Sequence, residues 1–403
     1  FGFRRPEKSE NKRGMKIMKE MDRIEKLIRI HRKRKRKKRL IVSFIAILTL
    51  FTARTALYLT RDIWLKPTSE EVSATTADSL AEPSLTEALS ETQPESKEVQ
   101  ITVSLMGDCT LGTDENFAYD TSLNAYFLYQ GADYFFENVR SILEADDLSI
   151  INMEGPLTES TARNGELFAF KGDPEFVNIL SGSSVEAANL ANNHSHDYGE
   201  QSFTDTKKIL EDAGISTFGY DDTAIVTVKG INVGLVGIYE LHDHLERMQQ
   251  LKDNIAKVKA DGADLIIAIF HWGNERETVP DYNQMTLAHA AIDNGADLVI
   301  GHHPHVLQGI EEYRGKYIAY SLGNFCFGGN SAPSDMDTMI FQQTFTIRNG
   351  EVLADQNINL IPCSISSEAG FNNYQPTPSE GSEAERIRQK IEERSEQISA
   401  SRL

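Results

Sequence analysis

The chain has 403 residues, 41 Lys and Arg against 60 Asp and Glu, and a net charge of -19. Residues 1–61 carry 20 basic against 5 acidic residues, or +15, which leaves 21 against 55, or -34, for the remainder. That split excludes a single compact domain and leaves no nucleic-acid role for the acidic part, while three cysteines are too few for a disulfide framework.

In chain order, residues 1–39 read as a basic cytoplasmic segment ending in the block His31–Arg39. Residues 40–60 are apolar apart from Arg54, which lies near the far end where its side chain can snorkel to head groups, so they are expected to form a single-pass signal anchor. Basic flanks stay inside, which puts the amino terminus in the cytoplasm and the rest outside the cell. A Lys/Arg run alone also fits nucleic-acid or nuclear targeting, but direct abutment to an apolar run favours the membrane. The absence of an A-x-A-like cleavage site favours an uncleaved anchor over a signal peptide. Because the first residue is Phe, the chain is read either as a fragment or as starting at Met15, Met18 or Met21. Residues 61–98, rich in Ser, Thr, Glu, Ala and Pro, read as a flexible acidic stalk.

From 99 to 365, apolar runs alternate with helical patterns, the mark of an α/β layered domain. Strands are expected at Ile101–Met106, Leu148–Met153, Val185–Leu190, Ile231–Gly237, Leu265–Phe270, Leu298–Ile300 and Tyr317–Tyr320. Helices are expected at Phe203–Ala213, Leu251–Ala260 and Thr286–Asn294, each stopped by a Gly. Lys229-Gly230 and Asn349-Gly350 read as hairpin turns, the second between strands 339–347 and 352–361. Residues 366–403 read as a polar tail in which Ile387, Ile391 and Ile398 mark a weakly amphipathic helix. Cys109 and Cys326 fall in predicted site loops, which leaves one bridge between them open.

The chemistry is concentrated at strand ends. Asp108, Glu154, Asn192-Asn193-His194, His271, His302-His303-Pro304-His305 and Asn324 each follow or close a predicted strand. Taken singly, each has a structural reading: Asp108 caps a helix, Asn192 or Asn193 holds a turn, His271 is a satisfied core histidine. Repeated at six strand ends, carboxylate, amide and imidazole are instead the donor list of a divalent cation. Two such ions can activate water and clamp both oxygens of an ester displacement.

Met106-Gly-Asp108, Asn152-Met-Glu-Gly-Pro-Leu-Thr158, Phe168-Ala-Phe-Lys-Gly-Asp-Pro174, Leu190–Gly199, His271-Trp-Gly273, Gly301–Val306 and Tyr320–Phe325 follow one another as the motifs of the CapA family do. Over roughly residues 99 to 365 the chain resembles that family, which is associated with poly-gamma-glutamate capsule synthesis. The family in turn resembles the calcineurin-like metallophosphoesterases, which implies an α/β sandwich of two mixed sheets flanked by helices, with the metal site at the strand carboxyl ends. Carried over by position, the resemblance implies Asp108, Glu154, Asn193, His271, His303 and His305 as metal ligands and His302 as a neighbour. It implies Asn193-His194 as the pair that holds metal and phosphate; with His194 as a candidate catalytic residue, His196 and Asp197 just after it are candidates either for a proton shuttle or for orienting His194, and Asn192, Asn324, Glu275 and Arg276 are candidate substrate contacts. Mn, Zn, Fe, Mg or Ca would suit such a donor set. Two departures stand out. Thr110 occupies the position where phosphoesterases place a His, and Glu154 that of a bridging Asp. Arg276 stands where the family commonly has Tyr, which implies a different substrate rim.

Two functions follow as expectations. One is an anchored metal-dependent hydrolase acting on an anionic or amide-linked surface polymer such as poly-gamma-glutamate. The other is a non-catalytic subunit that holds the polymer for capsule synthase partners.

Overall fold

The computed structural model describes residues 98–353 and 357–400. The basic segment, the candidate anchor and almost all of the stalk lie outside them. Among the described residues, no helix is long and apolar enough to cross a membrane.

Two mixed sheets face each other. The nine-stranded sheet runs Thr377–Pro378, Asn357–Ser364, Asp337–Arg348, Glu98–Thr110, Leu148–Met153, Ala187–Asn189 and Ser216–Phe218, with Asn324–Phe327 and Glu351–Val352 paired beside this path. The six-stranded sheet runs Ile310–Tyr313, Lys316–Ala319, Leu298–His302, Leu265–His271, Ile231–Tyr239 and Thr223–Val228.

Period-two alternation in strands buried on both faces explains the layering. Ile101, Val103, Leu105, Leu148 and Ile150 meet Leu265, Ile267, Ile269, Leu298 and Ile300 between the sheets. The opposite faces turn outward to helices. Ile151 and Met153 pack with Ile179, Leu180 and Leu210, while Ile266, Ala268 and Phe270 pack with Leu251, Ile255, Leu287 and Ala291. The result is a mixed α/β fold of two sheets flanked by helices.

Both expected hairpins form. Lys229 and Gly230 have φ 50° and 82°, and Asn349 and Gly350 have φ 54° and 84°, so each turn keeps positive φ at both central residues. The expected strand 352–361 is two pieces, because Ile347 pairs with Val352 but Thr344 pairs with Asn357. The two pieces, Glu351–Val352 and Asn357–Ser364, lie on either side of residues 354–356, which are outside the described residues. The helices begin earlier than expected, at Gly199, Met248 and Tyr282. Their first turns are polar and carry no apolar periodicity; the last is fixed by a capping box between Asp281 and Gln284.

The bridge that the sequence left open does not form, and the amphipathic helix expected in the tail does. Cys109, Cys326 and Cys363 are free and buried, so the Cys109–Cys326 bridge is absent, and burial pushes the Cys109 thiol up to about 12. The tail is part of the fold. Thr377–Pro378 joins the large sheet, and the helix Gly381–Ala400 buries Ile387 and Ile391 in the core between the sheets and Ile398 in the helix-covered core beyond.

Candidate metal centre

The carboxyl edges of both sheets meet at one cluster. Asp108 lies in the first strand and Glu154 follows Leu148–Met153, while Asn193 and His194 follow Ala187–Asn189. From the second sheet come His271, closing its own strand, and His303 and His305 after Leu298–His302. The close approach that seats Asp108 needs a glycine. A Cβ on Gly107 would lie 2.2 Å from the Gly323 carbonyl oxygen, which itself accepts the Asp108 N–H at 2.9 Å. His303 and His305 have φ 93° and 55°, a left-handed backbone costing roughly 1–3 kcal/mol each that gathers at functional sites.

Ligand atoms of Glu154, His271 and His303 lie within 4.8 Å of one another, and so do those of Asp108, Glu154 and His305. Glu154 belongs to both groups. Thr110 donates to its Oε2 at 3.0 Å, while Oε1 lies 3.6 Å from Nε2 of both His271 and His305. Among the described residues nothing hydrogen-bonds Glu154 Oε1 or His303 Nδ1, although both are buried. Unpartnered buried polar atoms are costly and call for an explanation, and a cation set among them supplies one. The residues therefore fit a divalent metal, with oxygen and imidazole donors suited to Mn, Fe or Zn.

Electrostatics divide the cluster. Burial would raise the Asp108 carboxyl, but His302 and His305 beside it hold it well below the usual carboxylate range. Burial pushes Glu154 up to about 7 against the pull of His305. Burial pushes His271 well down and, helped by His305, pushes His303 down to about 3, so both imidazoles are neutral and ready to ligate. Burial opposes charge on His305 too, yet Glu154 and Asp108 raise it to about 10.

The other predicted residues divide by location. Asn193 Oδ1 lies 2.6 Å from His271 Nε2. His194 Nδ1 meets Asp197 Oδ2 at 2.8 Å, and although burial opposes it, Asp197 raises the His194 pKa. Asp197 also accepts the Phe170 N–H at 2.7 Å and, from Asn164 Nδ2, a bond of 3.3 Å. His302 Nδ1 sits 3.3 Å from Asp108 Oδ1 but belongs to neither ligand group. His196 is not brought to the cluster. Its ring stacks on Phe203 at 4.6 Å and pairs with Glu200 at 3.3 Å. Asn192 is buried and does not line the cavity that opens over the centre; it donates to the Met153 carbonyl at 2.8 Å and to Asn152 Oδ1 at 3.3 Å and accepts the His194 N–H at 3.1 Å, which ties two strand ends together.

A cavity of about 570 Å³ opens over the centre, lined by His194, His305, Asn324, Glu275 and Arg276. Its walls are Phe117, Phe168, Phe170, Phe327 and Tyr374, with Asn116, Ser122, Asn330 and Ser331 among the polar lining. The loop carrying Phe168 and Phe170 is fastened by Asp114, which accepts from Ala169 N at 2.7 Å and pairs with Arg163 at 2.9 Å. Sequence reasoning missed these walls and also missed Asn152, which donates to Asp108 Oδ1 at 2.8 Å and lies 3.3 Å from His271 Nδ1. Asn152 sits in an apolar strand, where a polar residue aimed inward was the available signal.

The family described as Bacterial capsule synthesis protein PGA_cap matches residues 102–329, a span that contains the whole cluster and ends before the last helix. The chain is 30% identical over 254 residues to capsule biosynthesis protein CapA of Bacillus anthracis, covering 57% of this chain and 60% of that protein. It is 32% identical over 221 residues to PGA biosynthesis protein CapA of Bacillus subtilis, covering 49% of this chain and 58% of that protein. A probable polyglutamine synthesis accessory protein of Mycobacterium tuberculosis is 30% identical, covering 45% of this chain and 55% of that one. The chain thus spans less than two thirds of these relatives. Among solved structures, a hypothetical protein from Thermus thermophilus matches at TM-score 0.43 and 14% identity, over 65% of this chain and 98% of that chain. A 5'-nucleotidase from Candida albicans matches at TM-score 0.40 and 11% identity, over 73% and 57%.

Proposed function

The chain belongs to the bacterial capsule synthesis protein family, and from that membership we propose a metal-dependent hydrolase of capsule or poly-gamma-glutamate biosynthesis, acting on a surface polymer. The observation that carries the reading is the pair of buried donor groups sharing Glu154 beneath an open cavity. On the same reading the two-sheet sandwich is metallophosphoesterase-like, residues 40–60 anchor the protein, and the described domain works outside the cell beside capsule synthase subunits.

Asp108, Glu154, Asn193, His271, His303 and His305 would hold the cation or cations. A divalent ion held there supplies Lewis-acid activation of water and of the scissile ester or amide. His194 is oriented by Asp197 through Nδ1, which leaves Nε2 for proton transfer at the leaving group. Arg276, Asn324 and the aromatic walls orient the chain segment and exclude water from one side of the cavity.

The test is full-length protein in detergent, supplied with Mn²⁺ or Zn²⁺ and assayed against a generic phosphodiester and against poly-gamma-glutamate. Cleavage of either, lost by about 100-fold or more in both Asp108→Ala and His303→Ala, is expected. Retention of polymer without turnover by metal-loaded protein would refute the hydrolase and leave the polymer-holding subunit. Protease added to intact cells should remove the domain; a protected domain would refute the topology.

A further inference from the structure

Reading the cluster as a metal centre makes its two halves comparable, and they are not built alike. In one, Glu154, His271 and His303 are all buried, and Asn193 Oδ1, 2.6 Å from His271 Nε2, offers a fourth protein donor. In the other, Asp108, Glu154 and His305 offer three. There Thr110 spends its hydroxyl on Glu154 Oε2 at 3.0 Å, and His305 with Asn324 forms part of the cavity wall. The first half is closed by protein; the second keeps an open face.

The existing hydrogen bonds point the same way. Of the unpartnered atoms, His303 Nδ1 belongs to the closed half alone, and Glu154 Oε1 is shared by both halves. A cation entering there gives buried atoms a partner they lack and displaces the single His271–Asn193 bond. In the open half, His305 Nδ1 is already 2.9 Å from Asn324 Oδ1 and 3.2 Å from Asp108 Oδ2, and Asp108 Oδ1 already accepts from Asn152 at 2.8 Å. A cation entering there meets the shared Glu154 Oε1 as well, but must displace contacts that Asp108 and His305 already make.

We infer that the centre is unequal: one divalent cation is held tightly by Glu154, His271, His303 and Asn193, and a second is held weakly and exchangeably by Asp108, Glu154 and His305, with a coordination position left open to the cavity. Closed sites with a full set of protein donors hold ions structurally, whereas sites short of a donor keep a position for water or substrate.

The experiment is calorimetric titration of chelator-stripped full-length protein with Mn²⁺, with bound metal counted after gel filtration. Two steps are expected, the first tighter by at least ~10–100-fold, on the scale that lost supporting contacts alone carry. One ion should survive gel filtration. His305→Ala should remove the second step and spare the first, while His271→Ala should weaken the first. Asn193 is only half-buried, so Asn193→Ala keeps the test usable where His271→Ala unfolds. Two steps of equal affinity, or loss of the first step in His305→Ala, would overturn the inequality while leaving a metal centre. Absence of Mn²⁺ and Zn²⁺ binding at any concentration would overturn the metal reading itself.

Discussion

Asp197 organises more than its neighbour. One carboxylate meets His194 at 2.8 Å and fastens the loop that carries Phe170 at 2.7 Å, so His194 and a cavity wall share one anchor. Asp197→Asn is expected to lower turnover about 10–100-fold, as losses of orienting partners do. Losing the anion should also bring the raised His194 pKa back down, which histidine NMR titration would read. Gly107→Ala belongs to the same scale. Its Cβ would meet a backbone carbonyl oxygen at 2.2 Å, and a backbone atom cannot swing aside. A loss of roughly 1–3 kcal/mol in chemical denaturation is expected. Residue type and strand-end position marked Asp108, Glu154, His271 and the three histidines 302, 303 and 305 as candidates, and the family resemblance set His303 and His305 ahead of His302. Direction was not legible: His196, two residues from His194, turns to Phe203 instead, and only the backbone path of that loop decides it.

The last helix shows what periodicity can and cannot say. Ile387, Ile391 and Ile398 mark a stripe that sequence alone reveals, yet nothing local says what the stripe covers. The structure answers with charge as well as apolar area. Arg386 binds both oxygens of Asp337, at 2.6 and 2.7 Å, and Lys390 pairs with Asp335 and Asp337. Burial would raise the Asp337 carboxyl, but Arg386 and Lys390 hold it down, so its stabilising contribution is present above the ordinary carboxylate pKa and is lost as pH falls through the depressed folded value. Asp337→Asn should cost roughly 1–3 kcal/mol at neutral pH in urea unfolding, and the deficit should shrink in acid. Helix starts were hidden because first turns made mostly of polar residues leave no hydrophobic period.

For the molecule as a whole, acid has two opposed effects. At the edge of the large sheet remote from the metal cluster, Ser149 donates to Asp146 at 2.7 Å and to Glu186 at 2.8 Å. Burial pushes these carboxyls up to about 6 and about 7. Their contribution is therefore full below the ordinary value near ~4 and is lost as pH rises through the folded values, opposite in sign to Asp337. Glu186→Gln should flatten the fall in melting temperature between about pH 4 and 7. An unchanged slope would show that these groups do not set it. The layered architecture was legible from alternation of strand and helix signals; the pairing of the first strand with Asp337–Arg348 was not, since Val99 and Ile347 meet across nearly the whole domain.

That last helix also reaches the segment just beyond His303 and His305. Ser395 Oγ accepts the Ile310 N–H at 2.8 Å, Arg394 donates to the Leu307 carbonyl, and a Cβ on Gly309 would lie 2.6 Å from the Arg394 backbone. The last helix thus braces from behind the segment that carries the histidine turn, although it contributes no side chain to the donor cluster itself. Protein truncated before Gly381 should retain less Mn²⁺ through gel filtration than protein carrying the helix, and equal retention would show that this bracing does not reach the cluster.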